Sequence, residues 1–297
     1  MKIHILANEH AGSGNALKIM EEIKSILNRY ELTSSFTEKD PANFIQFMDE
    51  NPDIKYLIAI DGDGTVNYAI QALAGKDTIL IPVPAGTGSD LTRTIGRVTV
   101  KEIPEIISGG RFRKVDLGLV HINGKSRYFM NIMETGLGGN VMVRVNSTEH
   151  RTGSTFVKAI LYYILTMKSI GADIKIGDEI IHEQIIDIII ANGQYFGKGM
   201  HASPDSKIDD GFLDLHLIKY MPRSRILFKL PSLRSGAYIS DKYVINKKIK
   251  EASVNCKSIV EIDGEIIIAD SFSVEVLPGI INIFELPGED NSAINKI

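Results

Sequence analysis

The feature that most constrains this chain is a regular alternation of apolar strand-like runs and helical segments over roughly its first third. The run Tyr56–Ile60 is almost entirely apolar, which is typical of a strand covered by helices on both faces. Repeated strand–helix units predict a parallel, doubly wound α/β sheet. The predicted strands are 2–8, 32–38, 56–60 and 78–86, and the predicted helices are 14–30, 41–50, 65–75 and 89–96, the first with Leu17, Met20, Ile23 and Leu27 on its apolar face.

The sequence after about residue 111 changes to strand-like runs bounded by Gly, Asn and Pro, with two predicted helices at 153–171 and 223–236. That pattern predicts a β-rich, sandwich-like second domain. We place the boundary near residue 118. The chain would then consist of an α/β domain at 1–118, a β-rich domain at 119–287 and a tail at 288–297 that could pack on the first domain.

The composition limits the classes of protein to which the chain can belong. Apolar residues make up 44% and charged residues 24% of the chain, and no apolar run reaches the roughly 18–20 residues that span a bilayer. The single cysteine, Cys256, excludes an intramolecular disulfide, and its strand-like context predicts a small core residue. The net charge of −4 gives no support for nucleic-acid binding. We therefore expect a cytoplasmic protein with no nucleic-acid partner.

Three predicted strands end in turns rich in glycine and polar residues, at 8–14, 61–65 and 84–90. The carboxyl ends of parallel strands meet at one edge of an open sheet, where ligands usually bind. Backbone N–H groups in such turns, close to helix N-termini, can hold an anion. Each turn alone is also explained as a tight connection in which Thr65, Ser89 or Asp90 caps a helix. The coincidence of three turns is what indicates an anion site.

The second turn, Asp61-Gly62-Asp63-Gly64-Thr65, fits two kinds of chemistry. One is a phosphatase that uses the first carboxylate of Asp-x-Asp-Gly-Thr as its nucleophile. The other is a kinase whose Gly-Gly-Asp-Gly-Thr turn binds nucleotide phosphates. We expect the two glycines to permit backbone angles and a close approach that other residues do not allow. Such phosphatases usually carry the motif on the first strand, whereas here it follows two strand–helix units, which favours the kinase.

Two later segments carry further carboxylates. Asp263-Gly264 is a hairpin signal, and on pattern alone the turn explains it, although a general base could also lie there. The other is a glycine-rich segment at 191–218, whose carboxylates could bind a hard cation such as Mg²⁺ or could simply be turn formers in a solvated loop. Its acidic residues are Asp205, Asp209, Asp210 and Asp214.

In this order and spacing, DGDGTVN (61–67), PAGTGSD (84–90), GKGMHASPDSKIDDGFLDL (197–215) and DGE (263–265) resemble the diacylglycerol kinase catalytic-domain family. Its members are soluble bacterial lipid kinases that are similar to sphingosine and ceramide kinases. The resemblance runs from Asn8 to Glu265. It implies an α/β domain like that of phosphofructokinases and NAD kinases, a β-rich second domain, and transfer of the ATP γ-phosphate to a lipid hydroxyl with Mg²⁺.

The resemblance also implies roles for individual residues. Glu265 or Asp263 would be the base that acts on the lipid hydroxyl, and Asp90 and Asp210 would belong to an acidic network around metal and water. The expected metal ligands are Asp210 with the main-chain oxygens of Lys207 and Phe212. The residues expected around the nucleotide are Asn8, Gly12, Ser13, Gly14, Thr37, Asp61, Gly62, Asp63, Gly64, Thr65, Asn67, Gly86, Thr87 and Asp90.

Three departures from the family pattern concern the phosphate loop. Asp61 stands where the family has its first glycine, Ser89 where Asn is usual, and Glu9-His10 where the pattern usually starts Asn-Pro.

Two alternative functions stay open. An NAD kinase shares the Gly/Asp turn, but it should carry an Asn-Glu segment after the third turn, which 89–96 lacks. A non-catalytic nucleotide- or lipid-binding regulator would explain Asp61, but the other acidic residues are intact.

A lipid acceptor also needs access to the protein. The apolar segment 156–168 and the basic segment 221–236 could flank a cleft at a membrane surface, where basic side chains would meet anionic headgroups. Simple packing of both helices on the sandwich explains them equally well. We expect a lipid substrate at the membrane surface, and a homodimer is compatible with the sequence. The basic residues concerned are Arg223, Arg225, Lys229 and Arg234.

Overall fold

The structure is a computed structural model that describes residues 1–9, 15–60, 62–85, 90–148, 153–197 and 199–286. The chain divides into two compact units. Unit 1 comprises Met1–Val115 and the chain from Gly279 onward, and unit 2 comprises Asp116–Pro278. The first division lies close to the predicted boundary at 118. The second lies before the predicted end at 287, inside the strand Glu265–Phe284, at Pro278-Gly279, where Gly279 has a positive φ of 59°.

Unit 1 is built on a parallel sheet. Its strands are β1 (Lys2–Ala7), β2 (Glu31–Phe36), β3 (Ile54–Ile60), β4 (Ile79–Val83) and the last residues of β15 (Glu265–Phe284). Their order is β2-β1-β3-β4-β15, and every pair is parallel. The helices are α1 (Asn15–Ile26), α2 (Ala42–Glu50), α3 (Asp63–Leu73), α4 (Leu91–Ile95) and α5 (Ile103–Gly109), with a 3-10 turn at Val100–Glu102.

The strand order of unit 1 has a reversal point. From β1 the chain crosses to β2 on one side, then returns past β1 to β3 and β4 on the other. The carboxyl ends of β1 and β3 are level, since Ala7 pairs with Ile60. An open α/β sheet binds its ligands at such a reversal. The first two glycine-rich turns follow these two strands.

Helix α1 has an apolar face that differs from the predicted one at a single position. It buries Ala16, Met20 and Ile23, whereas Leu17 is 39% exposed. The prediction that Leu17 shares the apolar face is therefore wrong, because the buried stripe runs through Ala16 at the i, i+4, i+7 spacing. Helix α5 was not predicted, because its 7 residues are too few for the apolar positions to show a clear helical period.

The described part of unit 2 is built on antiparallel strands and three α-helices. The sheet order is β13-β12-β9-β7-β14-β15, with β8 pairing both β9 and β14, and β5 pairing β15 and β6. The strands are β5 (Phe112–Ile122), β6 (Lys125–Phe129), β7 (Ile132–Gly136), β8 (Ile170–Ile176), β9 (Glu179–Ala191), β10 (Tyr195–Phe196), β11 (Met200–His201), β12 (Leu213–Lys219), β13 (Val244–Ile249) and β14 (Glu251–Ile262). The helices are α6 (Leu137–Asn146), α7 (Gly153–Thr166) and α8 (Arg223–Ser235), with a 3-10 turn at Ala237–Ser240.

The core of unit 2 explains its sandwich-like form. A single apolar cluster contains Leu215 of β12 and Ile249 of β13 together with Val120 of β5 and Phe129 of β6. These strands stand at opposite ends of the sheet order, so the sheet curls around a shared core. Cys256 belongs to the same cluster, as the sequence predicted.

Two helix predictions for unit 2 need correction. Helix α6 was not predicted, because its Gly138, Gly139 and β-branched valines have low helix propensity. The predicted helix 153–171 ends at Thr166, because β8 begins at Ile170. Of the helices that the structure describes, none has both the length and the apolar character needed to cross a bilayer.

Candidate functional site

The predicted site residues fall in both units. Asn8, Thr37, Asp63, Asn67 and Asp90 lie in unit 1, and the predicted base and metal ligands lie in unit 2. Six predicted nucleotide-binding residues lie outside the described part of the chain, and their roles stay predictions. They are Gly12, Ser13, Gly14, Asp61, Gly86 and Thr87.

Asp63 joins the second glycine-rich turn to the third. It is the first residue of α3, and its two carboxylate oxygens accept the backbone N–H groups of Asp90 and Leu91, both at 3.0 Å. The side chain of Asn15, at the start of α1, donates to the carbonyl oxygen of Ala85 at 2.6 Å. The structure therefore ties together segments that adjoin all three turns, as expected for one ligand-binding edge.

Of the predicted helix caps, Thr65 is wrong, whereas Asp90 does occupy the N-cap position of α4. Helix α3 begins at Asp63 with Gly62 as its N-cap, so Thr65 lies inside the first turn. The Thr65 hydroxyl is buried and has no hydrogen-bond partner among the described residues. Asp90 is the N-cap of α4 but makes no capping bond with its own side chain, since Asp63 supplies those acceptors. The Asp90 carboxylate instead lies 3.5 Å from the Arg93 guanidinium. Ser89, the other predicted cap, lies outside the described residues.

Gly62 and Gly64 are not required by the backbone angles. Neither has a positive φ, so the prediction that they adopt backbone angles that other residues do not allow is wrong. A Cβ added at either position would meet no atom within 4 Å. The two glycines therefore border open space among the described residues. Open space beside backbone N–H groups is what a phosphate needs for close approach.

The other predicted nucleotide contacts in unit 1 surround this edge. Asn8 directly follows β1 and is half-buried, and the backbone N–H of Thr37 donates to the carbonyl oxygen of Ala7 at 2.9 Å. Asn67 is 7% exposed on α3, and Gln71 donates to its main-chain oxygen at 3.1 Å. These positions are compatible with the predicted contacts, which stay predictions.

In unit 2 the two candidate bases have different surroundings. Asp263 and Gly264 both have positive φ, 45° and 98°, and Ile262 pairs with Glu265, so the predicted tight hairpin is confirmed. The Asp263 carboxylate accepts the backbone N–H groups of Met130, Asn131 and Ile132 at 2.9, 3.2 and 2.9 Å. Glu265 is exposed, and no hydrogen bond or ion pair reaches its carboxylate from the described residues. The two carboxylates therefore differ in their surroundings, and which of them is the base stays a prediction.

A buried asparagine connects this hairpin to the predicted metal loop. Asn192 is fully buried and donates to the carbonyl oxygens of Met130 at 2.7 Å and Asp116 at 3.0 Å. The Asp116 carboxylate accepts the N–H of Gly211 at 2.7 Å. The sequence gave no sign of these contacts, because Asn192-Gly193 is also typical of an ordinary turn and the partners are distant in the chain.

In the predicted metal loop, the carboxylate of Asp210 binds the side chain of Lys248. The carboxylate of Asp210 accepts the Phe212 N–H at 3.1 Å with one oxygen and the Lys248 ammonium at 2.6 Å with the other. Asp214 accepts the Ser206 hydroxyl at 2.8 Å. The described residues contain no group of three His, Cys, Asp or Glu side chains arranged for a metal ion. The metal site at Lys207, Asp210 and Phe212 stays a prediction, and an ion there would have to share or displace Lys248.

Unit 2 also contains three buried carboxyl groups that the sequence did not reveal. Glu134 lies directly opposite Glu261 across the β7–β14 pair, and Asp187 pairs with Gly136, two residues farther along β7. All three therefore lie on one face of the sheet. Burial and mutual repulsion raise the pKa of each carboxyl group. The N–H of Gly138, at the start of α6, donates to Asp187 at 3.1 Å.

Comparison with known proteins identifies the fold. A diacylglycerol kinase from Bacillus anthracis str. Sterne superposes with a TM-score of 0.69 and 20% identity, covering 96% of this chain and 97% of that chain. An NAD kinase from Archaeoglobus fulgidus in complex with ATP gives a TM-score of 0.58 and 11% identity, covering 99% and 97%. At these identities the likeness shows the fold alone. The predicted fold class, NAD kinase-like with a β-rich second domain, is confirmed.

Sequence comparison identifies the family. The diacylglycerol kinase catalytic domain matches residues 2–120, and the YegS C-terminal NAD kinase beta sandwich-like domain matches residues 131–285. A diacylglycerol kinase of Mycobacterium tuberculosis (strain ATCC 25618 / H37Rv) is 27% identical over 238 residues, which cover 76% of this chain and 75% of that protein. A diacylglycerol kinase of Bacillus subtilis (strain 168) is 25% identical over 221 residues, 70% of each. The chain therefore belongs to the diacylglycerol kinase catalytic-domain family and is a kinase.

Proposed function

We propose that the chain transfers the γ-phosphate of ATP, presented as its Mg²⁺ complex, to the hydroxyl of a diacylglycerol-like lipid. Nucleotide binding is supported by the hydrogen bonds at one edge of the sheet of unit 1. There Asp63 and Asn15 join the segments next to three glycine-rich turns. Open space at Gly62 and Gly64 supports phosphate binding there. The similarity to diacylglycerol kinases of Mycobacterium tuberculosis and Bacillus subtilis supports a lipid acceptor.

The reaction asks for positioning and for charge neutralisation more than for covalent help from the protein. The acceptor hydroxyl oxygen bonds to the γ-phosphorus, the bond from that phosphorus to the β–γ bridging oxygen breaks, and ADP leaves. The exposed carboxylate of Glu265 takes the hydroxyl proton. Asp263 keeps the hairpin in shape through its three backbone contacts. A magnesium ion bound to the nucleotide would supply the charge that neutralises the phosphates.

Access to the lipid is supported by an apolar ridge on unit 2. Ile160 and Ile164 of α7 pack with Ile226 and Leu230 of α8. A neighbouring stripe of α7 exposes Val157, Leu161 and Leu165, which are 54%, 37% and 57% exposed, and Phe228 of α8 is 86% exposed. We define the apolar ridge as Val157, Leu161, Leu165 and Phe228. Packing of the helices and contact with a membrane are therefore compatible, because each uses different residues.

The basic residues of α8 contribute less to membrane contact than the sequence implied. Arg225 and Lys229 both pair with the buried carboxylate of Asp241, at 3.2 and 2.9 Å. Their charges stabilise a partner within the unit. We therefore assign any attraction to anionic headgroups mainly to Arg223 and Arg234, and most of the binding to the apolar ridge.

A labelling experiment tests the proposed function. The purified chain is incubated with magnesium, γ-labelled ATP and vesicles of a total lipid extract, and label is measured in the organic phase. We expect a labelled phospholipid when diacylglycerol is the added acceptor. Label found in NADP after addition of NAD, with none in the lipid phase, would contradict the proposal and favour an NAD kinase.

Glu265→Gln is the informative variant for the base. We expect turnover to fall about 10²–10⁴-fold, the usual contribution of a general base. Asp270→Asn, which changes another exposed carboxylate on β15, is the matched control and should keep full turnover. Unchanged turnover in Glu265→Gln would remove Glu265 from the mechanism without removing the kinase activity.

A further inference from the structure

The loop predicted to bind metal carries an excess of negative charge. Asp205, Asp209, Asp210 and Asp214 lie within ten residues of one another, with Lys207 as the cation among them. Carboxylates at such close spacing repel one another, and an opposite charge is needed to hold them together. Either a bound cation or a side chain can supply that charge.

The structure supplies the charge from β13. Lys248 stands directly opposite Asp214 in the β12–β13 pair. Its ammonium lies 2.6 Å from Asp210 and 3.6 Å from Asp214, so one cation bridges two carboxylates. Partial burial acts to lower the pKa of Lys248, but the hydrogen bond to Asp210 and the charge of Asp214 outweigh it and raise the pKa. Lys248 is therefore charged throughout the neutral range.

An aromatic ring completes the arrangement. The Phe212 ring centroid lies 5.9 Å from the Lys248 ammonium and 5.4 Å from the Lys250 ammonium. A cation over a ring within about 6 Å of its centroid is attracted by the ring electrons. The lysine thus contacts both Asp210 and Phe212, two of the three residues that the sequence predicted to bind metal.

We propose that the Lys248 ammonium is the resident cation of the 207–214 loop and takes the place of a divalent ion at Asp210. A magnesium ion needs an octahedral set of oxygen ligands at about 2.0–2.1 Å. Both oxygens of Asp210 already accept hydrogen bonds, and the main-chain oxygens of Lys207 and Phe212 are neutral, so this set gives a divalent ion little advantage over the ammonium.

The position of Lys248 gives it a positioning role in the proposed reaction. The loop is connected to the hairpin of Glu265 through Gly211, Asp116 and Asn192. A loop that keeps its shape keeps this connection in place. This consequence rests on the proposed function, whereas the presence of the ammonium at Asp210 does not.

Thermal unfolding of chelator-treated protein without nucleotide tests the proposal, with MgCl₂ added up to millimolar concentration. We expect the wild-type Tm to be unaffected by Mg²⁺. In Lys248→Met the Tm should fall by about 2–4 °C, as for the loss of one effective ion pair, and Mg²⁺ should restore it. Lys248→Arg should behave as wild type. Lys247→Met, which changes the neighbouring lysine that binds Glu179, is the matched control and should show no Mg²⁺ response.

Three results would each overturn the proposal. They are a wild-type Tm that rises with Mg²⁺, a Lys248→Met Tm equal to that of wild type in chelator, and a Lys248→Met Tm that Mg²⁺ does not restore. Adding Asp210→Asn to Lys248→Met should abolish the restoration, which assigns it to this carboxylate. None of these measurements needs turnover, so the proposal and the proposed function can fail separately. If the enzyme is active, Lys248→Met should regain kcat at Mg²⁺ concentrations above those that saturate the nucleotide.

Discussion

Asp263 and Glu265 stand two residues apart on one hairpin, and their contacts separate their roles. Asp263 has a positive φ of 45°, a conformation that asparagine also tolerates. Asp263→Asn should therefore keep the turn but weaken the bonds to the backbone of Met130, Asn131 and Ile132, which are all buried residues. We expect a loss of about 1–3 kcal/mol in the free energy of unfolding, measured by urea denaturation.

Turnover of the same variant provides the control. Once corrected for the folded fraction, the kcat of Asp263→Asn should remain within a few-fold of wild type, because Glu265 is unchanged. A variant with wild-type stability and severely reduced kcat would contradict this assignment and make Asp263 the base.

The prediction for Asp63 shows what a sequence can and cannot supply at the scale of one residue. The spelling of the turn singled out Asp63 among nearby carboxylates. It did not reveal that both carboxylate oxygens accept backbone N–H groups from Asp90 and Leu91, which follow β4 in the chain. Local patterns carry residue type and spacing, whereas hydrogen-bond partners between distant segments depend on the packed fold.

Among the elements, β7 carries a buried glutamate, Glu134, whose protonation should make the stability of the fold depend on pH. Burial and the charge of Asp187 raise the pKa of Glu134 above its ordinary value of 4.5. Above pH 4.5 the Glu134 carboxyl group of the unfolded chain loses its proton, whereas that of the folded chain keeps it until the pH reaches the raised pKa. The free energy of unfolding therefore falls as the pH rises above about 4.5. Glu134→Gln cannot titrate. Its gain in stability over wild type should therefore increase from pH 5 to pH 8, as measured by urea unfolding.

The control for this prediction is Glu251→Gln, an exposed glutamate on β14, the strand that also carries Glu261. Its stability relative to wild type should change little over the same range. A Glu134→Gln variant that loses stability most strongly at high pH would mean that Glu134 is ionised and paired in the folded chain.

The apolar ridge of α7 and α8 leads to a prediction about vesicles. Leu165 and Phe228 are 57% and 86% exposed, so replacing both by serine should leave the fold intact. Each apolar side chain that enters lipid contributes about 1.5 kcal/mol or more to binding. The double variant should therefore bind anionic vesicles at least about 100-fold more weakly in a sedimentation assay.

Ile268→Ser is the matched control for the ridge. Ile268 is 71% exposed on β15 and lies outside α7 and α8, so its loss should not change vesicle binding. Equal effects of the control and the double variant would show that exposed apolar surface in general, and not the ridge, drives the binding.

At the scale of elements, the sequence predicted the strands of unit 1 more reliably than the helices of unit 2. β3 is a buried apolar run with one exposed residue, a pattern typical of a strand covered on both faces, and its short length favours a strand over a helix. Helix α6 has glycines at its start and alternating valines, and tertiary packing overrides that low propensity. Gly138 has a further reason to be glycine, since a Cβ there would lie 1.9 Å from the carboxyl carbon of Glu134. A contact between residues on different elements is invisible to a periodicity argument.

At the scale of the whole molecule, the two compact units have separate candidate roles, and hydrogen exchange can test which unit holds the nucleotide. A magnesium complex of a non-hydrolysable ATP analogue at 100 times its Kd should stabilise the unit that binds it by about 2.7 kcal/mol. We expect slower exchange, by up to about 100-fold, at the start of α3 and at Asp90 and Leu91, whose N–H groups bond to Asp63. Strands β9 and β12 of unit 2 serve as the internal reference and should change far less. Asp63→Ala should lose the protection, and protection confined to unit 2 would contradict the assignment of nucleotide binding to unit 1.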